Sequence, residues 1–319
     1  MNRLIVHQPY NFESRHYRYY NIFFNALTDK LKQKFDVLEN RYFKFANNGA
    51  SRIQLLHTDT HKEKFDMNIY ECEMVIENYE TKKFKALSFF DLPVYSEPVM
   101  NYKSNDYFEK VLVAQFDRKK LHDGIKEEEK QKISPWVYFP ILDCDFDKLY
   151  NIRKQKTDFI DKLYFRGSVG DDRRILKGLS SDNFTGPDYT GDFNTYSEEL
   201  LNYKIGLSVA GMGEFCYRDI EYMAMGIPFM RFEYNNEMAK PLIPNYHYIS
   251  IPRPEGKTYD SELNQEDAVL FEQKFNEVKN DTDFLNFVAK NSRDYYNKYI
   301  KLDNCVNHTM NLLEMDKWM

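Results

Sequence analysis

Residues 203 to 231, YKIGLSVAGMGEFCYRDIEYMAMGIPFMR, constrain the fold of this chain more than any other stretch. An apolar run at 205–209 leads to Gly211 and Gly213, a helical pattern occupies 217–225, and Gly226 and Pro228 accompany a second apolar run at 227–232. Glycine ends helices in the left-handed region and proline cannot continue them, so the order reads strand, glycine turn, helix, stop, strand. Strands joined through a helix in this way lie parallel, in a sheet with both faces covered.

The same logic runs through the rest of the second half. An apolar run at 163–165, helical patterns near 173–179 and 197–202, and a helical tail from Glu266 extend the alternation. The first half opens on Leu4, Ile5 and Val6 before Pro9, which suits a buried strand. Residues 17 to 35 then place Tyr20, Phe23, Phe24, Leu27, Leu31 and Phe35 at three- and four-residue steps, one apolar stripe of a helix. Further apolar runs at 74–76, 84–90 and 111–116 are expected to complete a first sheet. The charged segment 121–132 and the crossing through WVYFPILDCDFD place the junction near 140–160. The expected domains are therefore 1–145, 146–290 and a helical tail at 291–319 that packs back on the first domain.

Hydrophobic residues make up 42% of the 319, enough for two cores of common size. The formal charge of -6 argues against a nucleic-acid partner, which would call for a basic face. Cys72, Cys144, Cys216 and Cys305 form no Cys-x-x-Cys pair and read as reduced thiols. No apolar run reaches membrane-spanning length and the start lacks a signal-peptide core, so the expected compartment is cytoplasmic. The oligomeric state is open.

In parallel α/β sheets ligands meet the carboxyl ends of strands, where helix N-termini present N–H groups. Gly211 and Gly213 stand at such a point, and Arg218 on the following first turn suits a charge-assisted fork to phosphate. Glu221, three residues on, suits the hydroxyls of a ribose.

Arg218-x-x-Glu221-x-x-Ala224-x-Gly226-x-Pro228 resembles the donor-site helix of GT-B glycosyltransferases, closest to the exostosin-like and protein O-glucosyltransferase-like groups. Tyr164-Phe165-Arg166-Gly167-Ser168, followed by Asp172-Arg173-Arg174, resembles the segment that opens the second domain in O-glucosyltransferase-like proteins. The resemblance implies a fold of two Rossmann-like domains with parallel sheets facing across a cleft. It implies that Ser168 and either Arg173 or Arg174 face a nucleotide diphosphate. The expected donor-binding set is Arg166, Ser168, Arg173, Arg174, Gly211, Gly213, Glu214, Arg218 and Glu221. Glu214 and Glu221 are seven apart, whereas the broad retaining pattern spaces two glutamates by eight, which favours an inverting route.

The expected activity is transfer of a sugar from a nucleoside diphosphate sugar, with UDP-sugar favoured, to a glycan or other hydroxyl acceptor. No cofactor or metal is expected, because cations and N–H groups would stabilise the leaving diphosphate. A general base is sought in the first domain: Asp91 first, then Glu13 and His16. Three rivals remain open: a nucleotide-sugar epimerase of the same fold, a metal-dependent GT-A transferase using Asp143 and Asp145, and a non-catalytic carbohydrate-binding or assembly protein. His57, Asp59 and His61 read as a polar loop, Tyr246, His247 and Tyr248 as a stacking wall or packed strand, and Arg231, Arg253 and Lys240 as isolated surface cations by default, with assistance to a diphosphate as the alternative.

Overall fold

The computed structural model describes residues 2–9, 15–42, 45–47, 50–52, 72–88, 108–114, 116–120, 127–137, 144–166, 176, 179, 182–186, 192–211, 213–258 and 261–319. The chain forms two compact units. The first comprises Met1–Leu142, Asn236–Lys240 and Lys301–Met319; the second comprises Asp143–Asn235 and Pro241–Ile300.

The first unit begins β1 (Arg3–Pro9), α1 (Arg15–Lys32), β2 (Asp36–Tyr42), with β1 and β2 parallel. Phe23, Phe24, Leu27 and Leu31 of α1 are buried, as their spacing requires. After the small hairpin β3 (Phe45–Asn47) and β4 (Ala50–Arg52) come β5 (Cys72–Asn78), β6 (Phe84–Ser88), β7 (Phe108–Val113), α2 (Glu127–Lys130) and β8 (Ile133–Pro135). The large sheet has the order β2-β1-β5-β6-β7-β8.

This sheet is parallel at β2-β1 and along β6-β7-β8, but β5 runs antiparallel to both its neighbours. For the β5–β6 pair the reason lies in residues 78 to 83. The Asn78 side-chain oxygen accepts from the N–H of Glu80 and Thr81, and Lys82 takes a left-handed φ of 56°, closing a tight turn that can only reverse the chain. A buried polar trio crosses the same sheet: His7 on β1 lies 3.0 Å from Glu77 on β5 and 2.9 Å from Asn40 on β2.

The C-terminal segment belongs to this unit. α8 (Leu302–Leu312) places Thr309 where the Trp136 indole N–H donates to its hydroxyl at 2.8 Å. Beyond it, Lys85 donates to the Glu314 carbonyl at 2.7 Å and sits 4.3 Å from the Trp318 ring, whose indole N–H donates to Glu109. These partners explain how a lysine in mid-strand can be buried.

The second unit contains α3 (Phe146–Lys154), β9 (Ile160–Tyr164), β10 (Phe184–Thr185), α4 (Phe193–Leu200), β11 (Tyr203–Leu207), α5 (Tyr217–Met225), β12 (Phe229–Phe232) and β13 (Ile249–Ile251). Then follow α6 (Gln265–Val278), α7 (Thr282–Tyr295) and a π turn, Tyr296–Ile300. Its sheet is parallel throughout, in the order β10-β9-β11-β12-β13. Every residue of β12 and β13 is buried, Arg231 and Ser250 included, as a sheet covered on both faces requires. Several boundaries shift from the sequence expectation: β9 and β11 each begin earlier, α4 starts earlier because Asp192 caps it, accepting from the Thr195 N–H, and β12 starts later because Gly226 to Pro228 form the exit from α5. The fold class is α/β.

Candidate functional site

The order of the second sheet places a topological switch between β9 and β11. From β9 the chain goes to β10 on one side, then crosses to β11 on the other. At such a reversal the loops leaving two adjacent strands diverge, and a crevice opens at their carboxyl ends. The Arg166 segment leaves β9 there, and the Val209–Cys216 loop leaves β11.

Arg218, on the first turn of α5, spans that reversal. Its guanidinium donates from Nε and Nη2 to the Arg166 carbonyl, at 3.2 and 3.0 Å, and from Nη1 towards the Val209 carbonyl at 3.5 Å. The plane also lies 4.3 Å from the Phe165 ring centroid. One cation thus gathers the carbonyl ends of both strands, where backbone partial charges are negative.

Behind Arg218, α5 is held rigidly. Cys216 is its N-cap, with the Cys216 N–H donating to Asp219 at 2.7 Å, and Gly226 closes it in the left-handed conformation at φ 64°. Asp219 is fully buried and also accepts from Arg231 at 2.7 Å. Arg231 donates its remaining groups to the carbonyls of Glu214 and Phe232. Tyr222 passes beneath β11, its hydroxyl shared between the carbonyls of Leu207 (3.1 Å) and Tyr164 (3.3 Å). Gly206 makes room for it: a Cβ there would stand 2.6 Å from the ring.

Glu221 is buried one turn beyond Arg218, and its carboxylate accepts from the Tyr196 hydroxyl of α4 at 2.8 Å. Burial holds its pKa above the ordinary carboxylate range. Glu214 is fully enclosed: both oxygens accept from the Asn235 N–H at 2.8 Å, and Arg253 pairs with one of them at 2.8 Å. It ties the loop after β11 to the segments after β12 and β13. The Arg166 side chain turns to α4, where Glu199 receives its Nη2 at 2.5 Å and Nε at 3.2 Å while also accepting from the Tyr164 hydroxyl.

The structure therefore brings Arg166, Gly211, Gly213, Glu214, Arg218 and Glu221 to one end of one sheet. Ser168, Arg173 and Arg174 lie outside the described residues, as do Asp91, Glu13, Asp143, His57, Asp59 and His61; His16 lies on α1, with its side chain outside them. Asp145 caps α3, accepting from the Lys148 N–H at 2.9 Å. Of the aromatic segment 246–248, Tyr248 and His247 are buried and only Tyr246 is exposed, edge-on to Phe287. His247 accepts from the Ile243 N–H, and burial lowers its pKa to about 4. Sequence reading missed the supports, namely Tyr196, Glu199, Tyr222 and the Asp219–Arg231 pair. The spacing of Tyr196 and Glu199, three apart on one helix, was their only signal.

No protein-family model matches the chain, and no curated protein does. Among solved structures it is similar to a glycosyltransferase from Rickettsia africae, at 10% identity and a TM-score of 0.45, covering 72% of this chain and 70% of that one. It is also similar to Anabaena HepE solved with UDP-glucose, at 11% identity and a TM-score of 0.40, covering 73% and 72%. A third similar structure is sucrose-phosphate synthase from Thermosynechococcus elongatus, at 11% identity and a TM-score of 0.41, covering 98% and 73%. These likenesses assign no role to any residue.

Proposed function

We propose that the chain is a GT-B-type glycosyltransferase that binds a nucleoside diphosphate sugar, a UDP-sugar in the first instance, at the carboxyl ends of β9 and β11, and transfers the sugar to a hydroxyl acceptor. The observation that carries this reading is the Arg218 fork at the sheet's switch point, with Glu221 one turn further along the same helix.

The diphosphate is assigned to the loop Gly211 to Cys216 and the first turn of α5. An acidic residue, Asp219, already occupies that turn, but Arg231 balances it, so the helix end and Arg218 remain electropositive towards a ligand. Arg218 acts doubly in this reading, shaping the two strand ends and presenting charge to the leaving group. Ser168 and Arg173 or Arg174 complete the diphosphate contacts. Glu221 takes the ribose hydroxyls, with Tyr196 orienting the carboxylate. Glu214 and the Arg166 side chain serve as braces, since each is engaged in a pair of its own.

Charge on the departing diphosphate is stabilised by Arg218, the upstream arginines and backbone N–H groups, without a metal ion. Asp91 is proposed as the base that deprotonates the acceptor in an inverting displacement, with Glu13 and His16 next. The first unit is assigned the acceptor side, and the protein is placed in the cytoplasm.

The test is a thermal-shift panel of UDP-, GDP- and CMP-sugars on the full chain, followed by release of free nucleotide with and without hydroxyl acceptors. A melting curve raised by one nucleotide class, and no longer raised in Arg218→Ala or Glu221→Gln, supports the assignment. Curves that no nucleotide sugar moves would overturn it.

A further inference from the structure

At the opposite, amino-terminal end of the second sheet lies a cavity of about 280 Å³. Its wall carries Arg153, Lys154, Lys156, Lys204 and Lys290, and among the described residues lining it there is no carboxylate. We propose that this cavity is a second anion site, distinct from the donor site, that takes a phosphate group borne by a small molecule or a lipid headgroup.

Three features support this. The whole chain has a net charge of -6, so five cations around one concavity are a local concentration against the overall sign. Low-dielectric walls focus such a field and raise the local concentration of counter-ions.

Second, the existing partners leave most of that charge uncompensated. Lys156 donates to the neutral Asn202 side chain. Lys204 has Asp161 at 3.7 Å, and Lys290 has Asp294 at 2.8 Å, but both acids are largely exposed and such pairs contribute little. Arg153 is buried, and its guanidinium donates to the carbonyls of Leu201, Tyr203 and Lys204, which fixes a positive charge in the floor. The ring of Phe159 lies 4.4 Å from that guanidinium and holds it in place.

Third, much of the remaining wall is apolar: Met225, Pro228, Leu285 and Ala289 join Phe159, beside the polar Tyr150, Thr282 and Asn286. A cavity lined by both cations and apolar side chains matches a ligand with a phosphate and a hydrophobic or ring-bearing portion. Its position, at the start of β11 and the end of α5, sets it apart from the crevice at the other end of the same two elements.

The experiment is lysine acylation footprinting of the full chain, read peptide by peptide by mass spectrometry, with inorganic pyrophosphate as the probe. Protection scales as 1 + [L]/Kd, so Lys154, Lys156, Lys204 and Lys290 should be acylated about tenfold more slowly at ten times the Kd, with exposed Lys317 unchanged. In a Lys154→Glu, Lys204→Glu variant, both changes being at the cavity rim, the protection of Lys156 and Lys290 should vanish while Arg218→Ala retains it. A parallel arm uses phosphatidylglycerol and phosphatidylcholine vesicles. Protection by pyrophosphate assigns a soluble phosphate, and protection by the anionic vesicles alone assigns a headgroup. No protection by either, equal protection of Lys317, or protection that survives the double charge reversal would each overturn the proposal.

Discussion

Arg218 and Arg166 meet through a side chain and a carbonyl, not through two side chains: the Arg218 fork closes on the Arg166 backbone oxygen at 3.0 and 3.2 Å, while the Arg166 guanidinium is turned away to Glu199. The two arginines of the FRGS segment and the α5 helix therefore do different work. Arg218→Ala should remove the fork and leave strand-end carbonyls poorly satisfied, at a cost of about 1–3 kcal/mol. Arg218→Lys keeps the charge but not the planar fork, and should recover less than half of the lost melting temperature. Differential scanning fluorimetry of the three proteins checks this, and an Arg218→Lys curve equal to wild type would refute the bridging role.

Glu221 offers a contrast between stability and binding. Its folded pKa is raised by burial, so the folded protein holds a proton that the unfolded chain releases near the ordinary carboxylate value. Its stabilising contribution is complete below that ordinary value and is lost as pH rises through the raised folded pKa. Glu221→Gln, which still accepts from Tyr196, should therefore melt higher than wild type at neutral pH, with a flatter acid-side pH profile, and yet lose nucleotide-sugar binding. Urea titrations across the acid range test the first part, and a variant less stable than wild type at neutral pH contradicts it.

Glu214 has the opposite character. Removing it strands the Arg253 guanidinium, whose side chain is only 11% exposed, without its counter-ion. Glu214→Ala should cost about 3–5 kcal/mol, enough to make expression poor. Glu214→Gln keeps the Asn235 N–H contact and should cost less. If the Gln variant folds and binds a donor as wild type does, the bracing role stands; selective loss of binding in a stable Gln variant restores Glu214 to the ligand set.

Two glycines should be intolerant for different reasons. Gly206→Ala drives a Cβ to 2.6 Å from the Tyr222 ring, and Gly226→Ala adds both a left-handed φ of 64° and a Tyr150 ring at 2.7 Å. Each should lose about 1–3 kcal/mol. A Tyr222→Leu background should relieve Gly206→Ala and leave Gly226→Ala unrelieved, a pattern that double-mutant denaturation curves read directly.

Lys85 supplies a probe of the C-terminal segment. Burial pushes its ammonium down to about 8, below its unfolded value of about 10.4. Between those pH values the unfolded chain binds the extra proton, so this group adds stability as pH rises through the window. The stability difference between wild type and Lys85→Met should therefore grow in favour of wild type across that range. A constant difference would mean that Lys85 does not titrate there.

α5 was readable from residues alone, because an apolar stripe bounded by a glycine stop has one local solution, and it runs over the residues expected of it. The stripe of α1 and the parallel order around β11 and β12 were legible for the same reason. The antiparallel β5 was not, since its direction rests on a turn at Asn78 to Lys83 that no hydrophobic period announces. Nor were the partners of the charged residues. Arg231 and Arg253 looked like spare cations in the sequence, whereas they neutralise Asp219 and Glu214 across separations of 12 and 39 residues.

What the sequence by itself determined is local: which segments are helix or strand, that the second half is a parallel α/β layer, and that Gly211, Gly213, Arg218 and Glu221 must cluster where β11 meets α5. Those follow from periodicity and backbone propensity within some thirty residues. Tertiary structure alone decided which partners the site's charges take. Those pairings depend on burial and on groups distant in sequence. A carboxylate or guanidinium is held by the fold when a distant group shares its hydrogen bonds, as Glu199 holds Arg166 and the Arg166 carbonyl holds Arg218.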